Sequence, residues 1–128
     1  RVIPNNINKI LRGEQPMIWK GSEASTREFL YIDDAVDAYL SLVENIDKTK
    51  GEAYNIGSGE VYSIDELLKK LLRTMDSNLD IEYVEKDFPE ISHQYLNSDK
   101  IERDTGWRPK TTLGVGLQKS VEFYKGLK

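Results

Sequence analysis

Ser25-Thr26-Arg27-Glu28-Phe29-Leu30-Tyr31-Ile32-Asp33-Asp34 is the stretch from which the fold is read. Arg27 opens a loosely alternating run, and Phe29 and Tyr31 favour a strand over Arg27 to Ile32. Asp33 or Asp34 is placed to cap the helix that follows, in which Val36, Leu40 and Val43 share one face. Asp47 to Glu52 is a surface turn, and Ala53 to Ile56 reads as a second strand ended by Gly57-Ser58-Gly59. Strand, helix and strand in succession give an α/β class.

The flanking segments extend the alternation. Pro4 is expected to begin a helix, since a proline's missing N–H is not needed in the first turn. Ile7, Ile10 and Leu11 give its stripe and Gly13 its end. Met17-Ile18-Trp19 is a short strand, followed by a polar loop from Lys20 to Ser25. Ser63-Ile64-Asp65-Glu66 is a capping box, and Ile64, Leu67, Leu68, Leu71 and Leu72 form the stripe behind it. Ile81 to Val84 reads as a strand, Lys86 to His93 as a loop and Tyr95 to Asn97 as an extended piece. Ser98 or Asp99 caps a helix closed by Gly106, with Trp107-Arg108-Pro109 as a stop. Thr112 caps a last helix carrying Leu113, Leu117, Val121 and Tyr124 on one side. No linker or repeat divides the chain, so residues 1–128 are read as a single domain.

Composition removes several function classes. The 128 residues are 38% hydrophobic and 31% charged, which suits one soluble globular domain. No apolar run approaches the roughly 18 residues of a membrane span, and no signal-peptide pattern opens the chain. With no cysteine and His93 the only histidine, thiolate and multi-histidine metal sites are excluded, and a cytoplasmic setting is expected. A net charge of −4 argues against general nucleic-acid binding, so an anionic ligand would be met by a few placed cations. The opening Arg1-Val2-Ile3-Pro4 is expected to mark a piece cut from a longer protein.

Four motifs stand in a telling order: Arg1-Val2-Ile3-Pro4, Arg27 before Phe29 and Tyr31-Ile32-Asp33-Asp34, Tyr54-Asn55-Ile56-Gly57, and Thr105-Gly106-Trp107-Arg108-Pro109. Together they resemble the C-terminal, substrate-binding part of the extended short-chain dehydrogenase/reductase family, the NAD-dependent sugar-nucleotide epimerases and dehydratases. The resemblance runs from Val2 to about Tyr124 and implies a small substrate-binding domain without its Rossmann domain. Gly57-Ser58-Gly59 is not a cofactor fingerprint: no third glycine follows and no strand–helix opening precedes it. The family's catalytic Tyr-x-x-x-Lys has one match, Tyr124 and Lys128, read as chance because Tyr124 sits on an apolar stripe. No catalytic residue is therefore assigned. NAD is expected in the parent enzyme and none on this chain alone.

The candidate substrate residues are Arg27, Asn55, Trp19, His93 and Gln94. A guanidinium stays charged when partly buried and grips two oxygens of a diphosphate, which is the role the resemblance implies for Arg27. The competing structural reading pairs it with Glu28 or Asp33. Asn55 either faces the nucleotide or satisfies its own turn. Asp34 is read as structural. In Lys86 to Tyr95, where the family has a second nucleotide-sugar loop, Phe88 stands in the place of an expected arginine; Gln94, His93 or Lys86 are the substitutes. Trp19 is core or a stacking platform for a base.

These readings make the chain the lobe of an NAD-dependent nucleotide-sugar epimerase or 4,6-dehydratase that anchors the nucleotide diphosphate, with the missing N-terminal Rossmann domain as its partner. In the family the segment Arg27 to Glu44 leans toward that domain, so the Val36, Leu40 and Val43 face is expected to be exposed here. The alternative is a free-standing, non-catalytic module that binds a nucleotide or a protein.

Overall fold

The computed structural model describes residues 1–127, in which six helices and five short strands alternate. They are α1 (Val2–Leu11), β1 (Met17–Trp19), β2 (Thr26–Glu28), α2 (Ile32–Glu44), α3 (Ile46–Thr49), β3 (Val61–Ser63), α4 (Ile64–Thr74), β4 (Glu82–Val84), β5 (His93–Gln94), α5 (Asp99–Thr105) and α6 (Leu113–Gly126). β1 pairs in parallel with β4, while β2 lies between antiparallel β3 and parallel β5. This is the α/β class expected from the sequence.

The core forms where the strongest helical stripes converge. Leu67, Leu68 and Leu71 of α4 are fully buried against Ile7 of α1, Ile18 of β1 and Leu117 of α6. α4 starts with the expected capping box: the Ser63 hydroxyl accepts the Glu66 N–H at 3.1 Å, and the Glu66 carboxylate accepts the Ser63 N–H at 2.8 Å. The latter hydrogen bond holds the Glu66 carboxyl below its usual range. α1 begins two residues ahead of Pro4, because every N–H of a first turn lacks a helical partner and proline is tolerated there. Asn6 joins α1 to β1: its side chain donates to the Val2 carbonyl (2.8 Å) and accepts the Met17 N–H (2.7 Å).

A second, smaller core joins Ala38 of α2 to Ile101 of α5 and Trp107. Gly106 ends α5 at φ 77°, a left-handed conformation that glycine takes without strain. The chain then reverses and buries Trp107, whose indole N–H donates to the Asp34 carbonyl at 3.2 Å. Thr112 caps α6 by accepting the Val115 N–H. Tyr124 packs on the main core, and Lys128 lies outside the described residues.

Four local expectations are corrected. β2 stops at Glu28, and Tyr31, in extended backbone, is the N-cap of α2 with no side-chain cap. Asp34 caps nothing: it is buried, and its carboxylate accepts the Thr111 N–H at 2.9 Å, tying α2 to the approach to α6. The tract after Asn45 contains a helical turn, α3, held by the Thr49 hydroxyl donating to the Leu42 carbonyl at 2.7 Å. Ala53 to Ile56 joins no strand ladder among the described residues; Tyr54 and Ile56 pack on the second core.

α2 turns its small face inward. Asp34 and Ala38 are buried, whereas Ile32, Val36, Tyr39, Leu40, Val43 and neighbouring Ile46 are all exposed, Val43 to 66%. The face that periodicity marks as apolar is thus open to solvent.

Candidate functional site

The strand register decides which side chains meet. β2 and β5 run in parallel with Thr26 opposite His93 and Arg27 opposite Gln94. Since successive strand residues point to opposite faces, Arg27 and Gln94 share one side and Thr26 and His93 the other. The Thr26 hydroxyl lies 2.8 Å from His93 Nδ1. Arg27 and Gln94 line a cleft of about 180 Å³ together with Glu28, Ile56, Gly57 and Tyr95.

Arg27 does not pair with Glu28 or Asp33. Its guanidinium donates to its neighbour's carbonyl at Thr26 (2.7 Å), to the Ile91 carbonyl (2.6 Å) and to Glu90 (3.3 Å). Glu90 gathers more partners: Lys86 Nζ at 2.5 Å and the Ser22 hydroxyl. Lys86 also donates to Ser22 at 2.6 Å. Burial opposes ionisation of Glu90, but the hydrogen bonds from Lys86 and Ser22 and the charges of Lys86 and Arg27 prevail, holding its carboxyl below the usual range.

Glu28 is the other carboxylate the site depends on. It accepts the Gly59 N–H at 2.7 Å and the Leu96 N–H at 2.8 Å, joining the glycine turn to the segment after β5. Gly57 approaches it closely, and its own N–H donates to the Ser98 hydroxyl at 2.8 Å. With these amides committed and a carboxylate beside them, the Gly57-Ser58-Gly59 turn does not fit a dinucleotide pyrophosphate.

The remaining candidates fall outside the cleft. Asn55 is exposed next to Ile56, with no side-chain hydrogen bond among the described residues. His93 is turned away by the register. Trp19 is 37% exposed and borders a separate depression with Asn6 and Met17. Its ring meets Phe88 edge-on, centroids 5.6 Å apart. Phe88 thus fills the place of the expected arginine with an aromatic contact. Sequence reasoning missed Glu28 and Glu90 as organisers. Glu90 lies 63 residues beyond Arg27 in an irregular loop, where no periodicity signals an encounter.

A family model described as the NAD dependent epimerase/dehydratase family matches residues 1–57. The dTDP-D-glucose 4,6-dehydratase of Homo sapiens is 33% identical over 133 aligned positions, covering 98% of this chain and 37% of that protein. The structure of UDP-glucose 4-epimerase from Thermotoga maritima, with UDP-glucose, superposes with a TM-score of 0.85 at 31% identity, over 100% of this chain and 40% of that one. UDP-glucuronic acid 4-epimerase from Bacillus cereus, in complex with UDP-glucuronic acid and NAD, shares the fold with a TM-score of 0.91 at 23% identity, again over 100% and 40%. Over its first 57 residues the chain matches the NAD-dependent epimerase/dehydratase family model, and over nearly its whole length it is similar in sequence and fold to dehydratases and epimerases of the extended short-chain dehydrogenase/reductase type. It spans less than two-fifths of the length of the curated dehydratases it matches.

Proposed function

We propose that this chain is the substrate-binding lobe of an NAD-dependent nucleotide-sugar dehydratase or epimerase, and that it anchors the nucleotide diphosphate. The observation that carries the reading is the placement of Arg27 beside Gln94 over the cleft, a cation and an amide converging from two paired strands. At about 180 Å³ the cleft is below the roughly 300–1,000 Å³ of small-molecule pockets, and it suits a phosphate or ribose better than a whole sugar nucleotide. The hexose would extend toward a second domain supplying NAD and the tyrosine–lysine pair. Anchoring the remote diphosphate orients the sugar for hydride transfer, so binding energy far from the reacting carbon lowers the barrier there. A cytoplasmic setting, where nucleotide sugars are made, belongs to the same reading.

The exposed face of α2 supports it. Ile32, Val36, Leu40 and Val43 form a contiguous apolar surface of the kind that packs on a partner, and we read that partner as the NAD-binding domain.

The test uses the protein as expressed from its own gene, assayed with dTDP-glucose and UDP-glucose. Arg27→Ala is expected to raise the substrate KM at least tenfold; an unchanged KM removes Arg27 from the site. A native mass near that of this chain alone would replace the enzyme reading with the free-standing binding module.

A further inference from the structure

We propose that Glu90 is an internal stand-in for a ligand phosphate: its carboxylate bridges Arg27, which lines the cleft, and Lys86, and an incoming diphosphate displaces it and releases its loop. The proposal rests on the reading of Arg27 as the diphosphate anchor.

The geometry of the cluster carries it. One carboxylate takes both cations, Arg27 Nη2 at 3.3 Å from Oε1 and Lys86 Nζ at 2.5 Å from Oε2. All three side chains are largely shielded, with 14–22% of their surface exposed, so the charges act on one another through little water. A guanidinium grips carboxylate and phosphate with the same fork of N–H donors. A lysine ammonium likewise accepts either as a point charge. Two cations around one carboxylate leave an excess positive charge, which a diphosphate with its greater negative charge meets better than Glu90 does.

The Glu90 loop is built to be released. Between Val84 and His93 the chain forms no helix or strand, so the middle of its path is set mainly by side-chain contacts. Its middle is tied by the Glu90 cluster, by the Arg27 hydrogen bond to the Ile91 carbonyl, and by Phe88, which stands edge-on to Trp19 at 5.6 Å and lies under Lys86; its ends stay held by the Lys20–Glu85 ion pair and by the Thr26 N–H donating to the Ser92 carbonyl at 2.8 Å. A ligand that takes Arg27 and Lys86 removes the first two ties together, and Phe88 then leaves Trp19. Glu90 therefore acts as a positioning residue that keeps both cations ordered before the substrate arrives, at the cost of competing with it.

Inorganic pyrophosphate is the probe, titrated calorimetrically into the protein expressed from its own gene and into E90Q and R27A. A glutamine cannot supply the competing charge, so E90Q is expected to bind pyrophosphate about three- to tenfold tighter. If Glu90 is instead a permanent scaffold, E90Q binds equally or more weakly, which overturns the proposal. Failure of both proteins to bind overturns it as well. If R27A binds as the wild type does, the diphosphate reading itself fails, a result distinct from a failure at Glu90. A second readout needs no Glu90 variant. The ¹⁹F resonance of 5-fluorotryptophan at position 19, assigned through W19F, is expected to shift at saturating pyrophosphate as Phe88 departs. Binding heat without that shift overturns the displacement, even where E90Q does not fold.

Discussion

Replacing Gly57 by alanine tests how the cleft is held, because the outcome should change sign with the residue at position 28. A Cβ added at Gly57 would lie 2.6 Å and 2.9 Å from the two carboxylate oxygens of Glu28, closer than non-bonded atoms settle. The next nearest atom, Glu28 Cδ, would lie 3.0 Å away, and Gly57 does not occupy left-handed backbone, so the main chain itself accepts alanine. The carboxylate must move, and moving it strains or breaks the bonds it accepts from Gly59 and Leu96. Both bonds are solvent-accessible, so each is worth the ordinary net value of about 0.5–1.5 kcal/mol and not the larger value of a buried charged bond. Losing both costs about 1–3 kcal/mol, against a gain of about 0.4–1 kcal/mol from the smaller unfolded-state freedom of alanine. G57A should therefore destabilise the wild type by about 0.5–2 kcal/mol. With Glu28→Ala already in place the clash is gone, and G57A should be neutral or stabilising by up to about 1 kcal/mol. Urea unfolding of the four proteins of this cycle measures the coupling directly. An equal penalty for G57A in both backgrounds would show that the glycine is required for another reason and refute the account.

Four further outcomes follow. Leu71→Ala, which empties a fully buried position in the main core, should cost about 2–5 kcal/mol in urea unfolding. Ser63→Ala should cost about 1 kcal/mol by removing the N-cap of α4. Because the Glu66 carboxyl is lowered in the folded chain, its contribution is present above the ordinary glutamate value of about 4.3 and is lost as pH falls through the lower folded value. The stability gap between wild type and Glu66→Ala should accordingly narrow as pH falls from neutral through the carboxylate range. The isolated 128-residue chain should self-associate through α2, and Leu40→Lys with Val43→Lys should return light scattering to the monomer value; a clean monomer before substitution would count against an unsatisfied face.

How much of this was legible in the sequence depended on how local each cause was. The capping box, the α4 stripe and the Gly106 stop were readable because their partners lie within a turn or two; the strand at Met17 was readable from its own apolar run, although its partner β4 lies 65 residues on. The boundaries of β2 and α2 were misread because Asp34 looks like a cap and is instead drawn inward by the Thr111 N–H, far along the chain. At the site, the family order of motifs pointed to Arg27 and Asn55, with Gln94, His93 or Lys86 in place of a second arginine; the parallel register brings Arg27 and Gln94 to one cleft and leaves Asn55 outside it. It also turns His93 away and leaves Trp19 in a separate depression.

By itself the sequence determined the alternation of elements, the hydrophobic stripes that build the main core, and the order of motifs that carries the family resemblance, since these rest on residue spacing. Periodicity marks an apolar face without saying what covers it: the exposure of Val36, Leu40 and Val43 was expected only from the family resemblance, and the tertiary structure decided that α2 buries Asp34 and Ala38 instead. It also decided that Arg27 is held by Glu90 and that Glu28 binds the glycine turn. Those partners are 63 and 31 residues apart, and an ion pair or backbone hydrogen bond over such separations is set by how the chain returns in space.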